Sequence, residues 1–321
     1  MSRDVTGIAI FALAVLAATL WLTSGVWLNA LMMILYAALI ALAWNLLGGF
    51  GGQFSFGHAL FFGCGAYTSA VLQVTHGMNA WAALVLAVLA ATAAGAVVGA
   101  LAFRYGLKGS YFALVTLAFA EVFRILALSA TFTGGGVGMM LPLKESIANL
   151  QFGSRKGYVA WMLACVVVAL LVTAWLRHSR FGARLQAVRD NEDAARAVGV
   201  DPYRTKLAAT MASAALMGAA GAFYLHVFQY IDPAIAFGPH VSVEALVGAI
   251  VGGMGTLWGP VLGAAVLHAL GEATRNLFGQ LPGLNLVIYG CVLVGIVLFM
   301  PRGLAGLGPT LRAHWRRGDR G

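Results

Sequence analysis

The stretch RHSRFGARLQAVRDNEDAARAVGVDPYRTK, from Arg177 to Lys206, is the one long interruption of hydrophobicity in the middle of this chain, and an apolar run of membrane length lies on each side of it. Asp190-Asn191 supplies N-cap chemistry, Glu192 and Asp193 place negative charge in a first helical turn, Ala194 to Val198 favours helix, and Gly199 terminates it. The pattern predicts a short Arg-rich helix outside the bilayer, built to meet another protein at the membrane surface. The flanking runs then belong in the membrane, and the fold class is all-α: a polytopic helical bundle.

Composition agrees. With 61% hydrophobic residues, 10% charged and a mean hydropathy of +0.87 over 321 residues, the chain is excluded from the water-soluble globules. A helix needs about 20 apolar residues to cross the hydrocarbon core. On that measure, spans are expected near 7–23, 27–47, 54–75, 80–103, 111–131, 158–176, 207–229 and 285–300, with a Gly-broken segment at 241–270. This makes about eight to ten membrane segments in a single transmembrane domain over 1–321, with a coupling-type loop at 177–206 and a basic tail at 302–321. The first span lacks an obvious small-residue cleavage site, so it reads as a retained helix and not as a signal peptide.

The net charge of +9 follows from the positive-inside bias and not from nucleic-acid binding. Arg177, Arg180, Arg184, Arg189, Arg196, Arg204 and Lys206 put the central loop inside the cell. Arg302, Arg312, Arg316, Arg317 and Arg320 do the same for the tail, and Arg104 and Lys108 for a third inner loop. Lys144, Arg155 and Lys156 fall on the outer side and run against the trend. If Lys206 and Arg302 are both inside, whatever lies between the spans at 207–229 and 285–300 must return to the outer side. Gly252, Gly253, Gly255, Gly259 and Pro260 break the helix there, so two half-length helices or a re-entrant hairpin are expected. Such backbone is tolerated at membrane depth only inside protein or beside a wet cavity.

A second glycine cluster, Gly48, Gly49, Gly51 and Gly52, precedes Gln53, Ser55 and His58, which are candidates for the translocation path. GGFG at Gly48 and GGMG at Gly252 are faint echoes of an internal duplication; the remaining glycines read as close helix packing. A charge at the bilayer centre costs roughly 2.5–3.5 kcal/mol, so Glu121 and Arg124, spaced to share a helix face, are either lining for a translocation path or a tether to a partner. Thr133 and Gly134 open a tightly turned or flexible outer loop that is a candidate for accepting substrate. Asp232, Glu244 and Glu272 read as solvated acids near the outer mouth. The run G-x-x-x-x-G-K-[ST] does not occur, so energy is expected from partners or an ion gradient. Cys64, Cys165 and Cys291 and the seven His residues show no metal-ligand spacing, and neither metal nor cofactor is expected.

Several motifs in order carry a resemblance over nearly the whole chain. NLLGGFGGQFSFGHALFFGCGAYTSA (Asn45 to Ala70), TGGGVGM (Thr133 to Met139), RFGARLQAVRDNEDAARAVGVD (Arg180 to Asp201), VGGMGTLWGPVLGA (Val251 to Ala264) and MPRGL (Met300 to Leu304) resemble the LivM-type permease subunits of branched-chain amino acid ABC transporters. The resemblance implies a bacterial inner-membrane subunit paired with a second permease, docked on two cytoplasmic ATPase subunits and fed by a periplasmic substrate-binding protein. It also implies a coupling helix in the central loop. The loose E-A-A-x-x-x-G pattern of ABC importers is met by Ala194, Ala195 and Gly199, while Glu192 is offset by one residue, about 100° on a helix. An ion-driven secondary transporter, or a permease for urea or another small amino-acid-like solute, remains the alternative.

Overall fold

The computed structural model describes residues 1–278, 303–306 and, between them, positions 287, 288, 290, 291, 294, 295 and 298. The expected span at 285–300 and the arginines of the tail therefore lie largely outside the described residues. Twelve α-helices follow in chain order: α1 (Ser2–Trp21), α2 (Gly25–Asn45), α3 (His58–Val74), α4 (Ala80–Arg104), α5 (Gly109–Ser129), α6 (Arg155–His178), α7 (Arg180–Asp190), α8 (Glu192–Ala197), α9 (Pro202–Phe228), α10 (Pro233–Phe237), α11 (Pro239–Gly252) and α12 (Gly259–Phe278). Among the described residues, seven helices are long and apolar enough to cross a membrane, counting α10 and α11 as one unit. The chain is a multi-pass, all-helical membrane protein.

α2 is the central helix. It is apolar on every side, and a helix of that kind must be surrounded; every residue from Leu35 to its end at Asn45 is buried. It continues as a π-helical turn, Leu46–Phe50, where the expected third span does not yet begin. Gly51 to Gly57 are non-helical, and α3 starts only at His58. α1 is peripheral and turns Ile10, Leu13 and Leu20 outward, as a lipid-facing helix should.

α4 packs on α9 through small residues at four-residue spacing. Ala83, Ala87, Ala91, Gly95 and Gly99 are buried on one stripe of α4, and Thr210, Ala214 and Gly218 answer them on α9. Lipid offers no hydrophobic drive for helix association, so contact comes from backbones approaching closely over small side chains.

The break expected at 241–270 is present and sits between Gly252 and Gly259. Gly253 (φ 115°) and Gly255 (φ 73°) adopt positive φ and make it. Gly252, Gly259 and Pro260 belong instead to the helix ends: Pro260 is the second residue of α12, where its missing N–H is harmless. α11 and α12 pack on each other and on α2 as a hairpin. Two of the basic residues that run against the charge trend find local partners. Arg155 donates to Asn29 Oδ1 (2.5 Å), and Lys156 to the Leu20 carbonyl at the end of α1 (3.2 Å).

Candidate functional site

The end of the bundle that carries α7 and α8 holds the loop singled out in the sequence. Asn191 is the cap of α8, its Oδ1 accepting from the N–H groups of Asp193 (3.1 Å) and Ala194 (3.0 Å). Asp190 does not share that role. It is the last residue of α7, paired with Arg189, because the chain turns extended only at Asn191. Gly199 (φ 85°) ends the helix as expected, with Val200 N–H returning to the Ala195 carbonyl (3.0 Å). Ala195 is buried, whereas Ala194, Ala197, Gly199 and Val198 (78% exposed) form an outward apolar knob.

Glu192 faces the other way and anchors the helix. Its carboxylate takes Lys206 at 2.7 Å, Lys108 at 3.1 Å and Arg196 at 3.5 Å. Burial pushes its carboxyl up, but the hydrogen bonds and charges of the two lysines outweigh this and hold it below the ordinary carboxylate value. Lys206 is 3% exposed and its ammonium lies 5.6 Å from the Phe103 ring centre. α8 is thereby pinned to the start of α9 and to the α4–α5 loop.

One residue before Asp190, Arg189 reaches from α7 into the bundle. Its Nη1 donates to the Gly49 carbonyl (3.1 Å). Beside that carbonyl, Asn45 accepts from Gly255 N–H (2.7 Å) and donates to the Thr256 carbonyl (3.0 Å). The two glycine clusters of the sequence therefore meet. A Cβ on Gly49 would overlap Asn45 Oδ1 and the Gly255 nitrogen, so glycine at 49 is what permits the approach. The central loop, the π-helical turn and the α11–α12 break are joined at one node.

The expected path residues do not gather in one place. Gln53 and Ser55 are buried in the segment before α3, and His58 is buried as the first residue of α3. Ser55 accepts from Gly57 N–H (3.1 Å) and its carbonyl takes Trp44 Nε1–H (2.9 Å); Gln53 donates to the Gly51 carbonyl (3.2 Å). Ser213 gives its one proton to the Ala43 carbonyl (2.6 Å), so His58, 2.8 Å away, must donate to it from Nε2. Ser242 accepts from Ala59 N–H (2.8 Å) and Thr116 from Phe56 N–H (3.2 Å). Thr116 of α5 thus satisfies the backbone of the irregular segment and Ser242 of α11 the first turn of α3, where lipid could not.

Arg124 and Glu121 form a two-pronged pair (2.9 and 2.5 Å) on the flank of α5, with side chains 29% and 46% exposed. Thr133 is buried at the end of the bundle away from α8, donating to the Ala127 carbonyl (2.6 Å), and Gly134 takes the left-handed turn after it. Of the acids read as solvated, Asp232 lies in a linker, and Glu244 and Glu272 lie on helices. Asp232 caps α10 through Ile235 N–H (2.7 Å), while Glu244 on α11 and Glu272 on α12 line a cavity of about 410 Å³ against α2. Arg189, Asn45, Ser213, Ser242 and Thr116 were not singled out by sequence; the signal for Asn45 was a lone amide closing an apolar run.

The model of the branched-chain amino acid transport system / permease component family matches residues 26–297. The high-affinity branched-chain amino acid transport system permease protein LivM of Salmonella typhimurium is 30% identical over 83% of this chain and 67% of its own length. LivH of Escherichia coli, a permease protein of the same description, is 25% identical over 84% of this chain and 91% of its own. The fructose import permease protein FruF of Bifidobacterium longum is 26% identical over 60% of this chain and 53% of its own. No solved structure matches the chain.

Proposed function

The chain belongs to the permease component family of branched-chain amino acid transport systems, and from that premise we propose that it is one of two permease subunits through which an ATP-driven importer moves branched-chain amino acids across the bacterial inner membrane. The observation that carries the reading is the construction of α8: an outward knob of Ala194, Ala197 and Val198 on a helix held from behind by Glu192. A helix outside the bilayer, capped, pinned and apolar on its free face, suits a cleft on a cytoplasmic ATPase subunit. Two such subunits supply the hydrolysis, and a periplasmic binding protein delivers substrate at the outer end. Similarity to both LivM and LivH, each named as a permease protein in Salmonella typhimurium, supports a second permease of the same family as the other half.

Coupling runs through the node. When the ATPase shifts α8, α7 moves with it, and Arg189 carries the displacement to Gly49 and, through Asn45, to the α11–α12 break. Both receiving segments are irregular, so they yield at less cost than a continuous helix. A permease for another small solute, as FruF's name indicates for that relative, would use the same machinery.

The test is substrate-stimulated ATP hydrolysis by the complex purified through a tag on this chain. Val198→Glu is expected to remove the stimulation or release the ATPase subunits, since it puts a charge in the docked face without touching the buried side of α8. A chain that purifies alone and carries leucine into liposomes under an ion gradient would replace this reading with a secondary transporter.

A further inference from the structure

The outer half of the bundle encloses a second cavity, of about 560 Å³, between α3, α4 and α5. Its walls are apolar: Phe123, Leu126 and Ala127 of α5, Val71 of α3 and Phe237 of α10, with Thr133 at the rim. Neither Glu121 nor Arg124 is among the residues that line it. It opens past Leu126 and Phe132, which are 57% and 66% exposed.

This chamber is built by specific devices. α10 delivers Phe237 flat against Tyr67, ring centres 5.7 Å apart and 7° from parallel, and Phe237 reaches that position only because residue 63 is glycine, where a Cβ would overlap its ring. The two-residue strands β1 (Met139–Met140) and β2 (Tyr230–Ile231) pair antiparallel. They tie the loop that follows Thr133 to the linker entering α10, so rim and wall move together. Within the chamber, the proton of Thr133 is committed to the Ala127 carbonyl. Tyr67 is different: it is 5% exposed and its hydroxyl has no hydrogen-bond partner. A buried hydroxyl left unpaired costs about 1–3 kcal/mol, a cost that a ligand removes when it arrives.

We propose that this chamber is the outer binding site for the transported amino acid, its aliphatic side chain seated among Phe123, Leu126 and Phe237 and one of its charged head groups hydrogen-bonded to the Tyr67 hydroxyl. The volume lies within the roughly 300–1,000 Å³ of small-molecule sites, which are mostly apolar with a few placed polar groups. A site with one polar anchor holds its cargo weakly, as transit requires. The inference rests on the importer reading above and names the place in it where substrate dwells.

The experiment compares leucine uptake, ATP hydrolysis and thermal stability of the whole reconstituted complex for wild type, Tyr67→Phe and Ala127→Trp. Tyr67→Phe is expected to cut leucine uptake about five- to tenfold, a ligand hydrogen bond being worth about 1–1.5 kcal/mol, with stability equal to or above wild type. Ala127→Trp fills the chamber and should abolish leucine uptake, alanine uptake being reduced less, while ATP hydrolysis persists. If Tyr67→Phe stabilises the complex and leaves uptake unchanged, the hydroxyl serves no ligand and the proposal fails. It also fails if Ala127→Trp transports normally and instead loses a co-purifying phospholipid in native mass spectrometry, which would make the chamber a lipid site. Should Ala127→Trp not assemble, Tyr67→Phe decides alone. Failure of the importer reading itself looks different: the wild-type complex would then take up no branched-chain amino acid.

Discussion

Arg189 links two distant segments, because its guanidinium spans from the central loop to the Gly49 carbonyl while its stem lies over Gly52. A hydrogen bond from a charged donor is worth about 1.5–3 kcal/mol. Arg189→Met should therefore assemble with its partners yet transport about tenfold less leucine per ATP hydrolysed. Arg189→Lys, which keeps the charge and can reach one carbonyl, should recover part of that ratio. Unchanged coupling in Arg189→Met would sink the linkage. Nothing in the sequence separates Arg189 from its six basic neighbours in the loop; positive-inside bias explains all of them equally, and only the fold shows that this one points inward.

At the scale of elements, the glycine clusters were legible as breaks, while their meeting was not. A break is a local property of backbone without side chains; the pairing of GGFG with GGMG depends on α2 and the α11–α12 hairpin lying side by side. The offset of Glu192 from the loose importer pattern was legible too, and its consequence was not: the rotation aims the carboxylate back at Lys206 and Lys108, where it anchors α8. Overpacking a tight crossing typically costs about 1–3 kcal/mol. Gly49→Ala is thus expected to lower the melting temperature of the purified complex and to weaken coupling, whereas Gly77→Ala, beside open space though at positive φ, should leave coupling intact. Equal coupling losses in both would show that glycine at 49 is not special.

For the whole molecule, the part-exposed Glu121–Arg124 pair is the ground for an expected contact with a protein partner. A charged pair left against lipid is costly, and the pair lies on the flank of α5, consistent with a seat for the second permease. Arg124→Met leaves Glu121 unpaired and is expected to reduce recovery of the complete complex several-fold. Glu121→Met with Arg124→Met should restore much of it, since replacing both partners by apolar groups is often near neutral. Normal recovery of Arg124→Met with transport lost would move the pair from tether to pathway.

The sequence by itself determined the class, most of the approximate spans, the capped helix between Asn191 and Gly199 and the family, and its arginines supplied an expectation of sidedness. All of these are one-dimensional: runs of apolar residues, charge counts, cap chemistry and motif order survive without knowledge of neighbours. Tertiary structure alone decided that Asn45, Arg189 and Gly255 form a node, that His58 is held by Ser213, and that Tyr67, Phe123 and Phe237 enclose a chamber. Those residues lie tens to hundreds of positions apart, and in a bundle whose helices are nearly all apolar, hydropathy does not tell which faces pack together. Shape does, through the small residues that let one helix approach another.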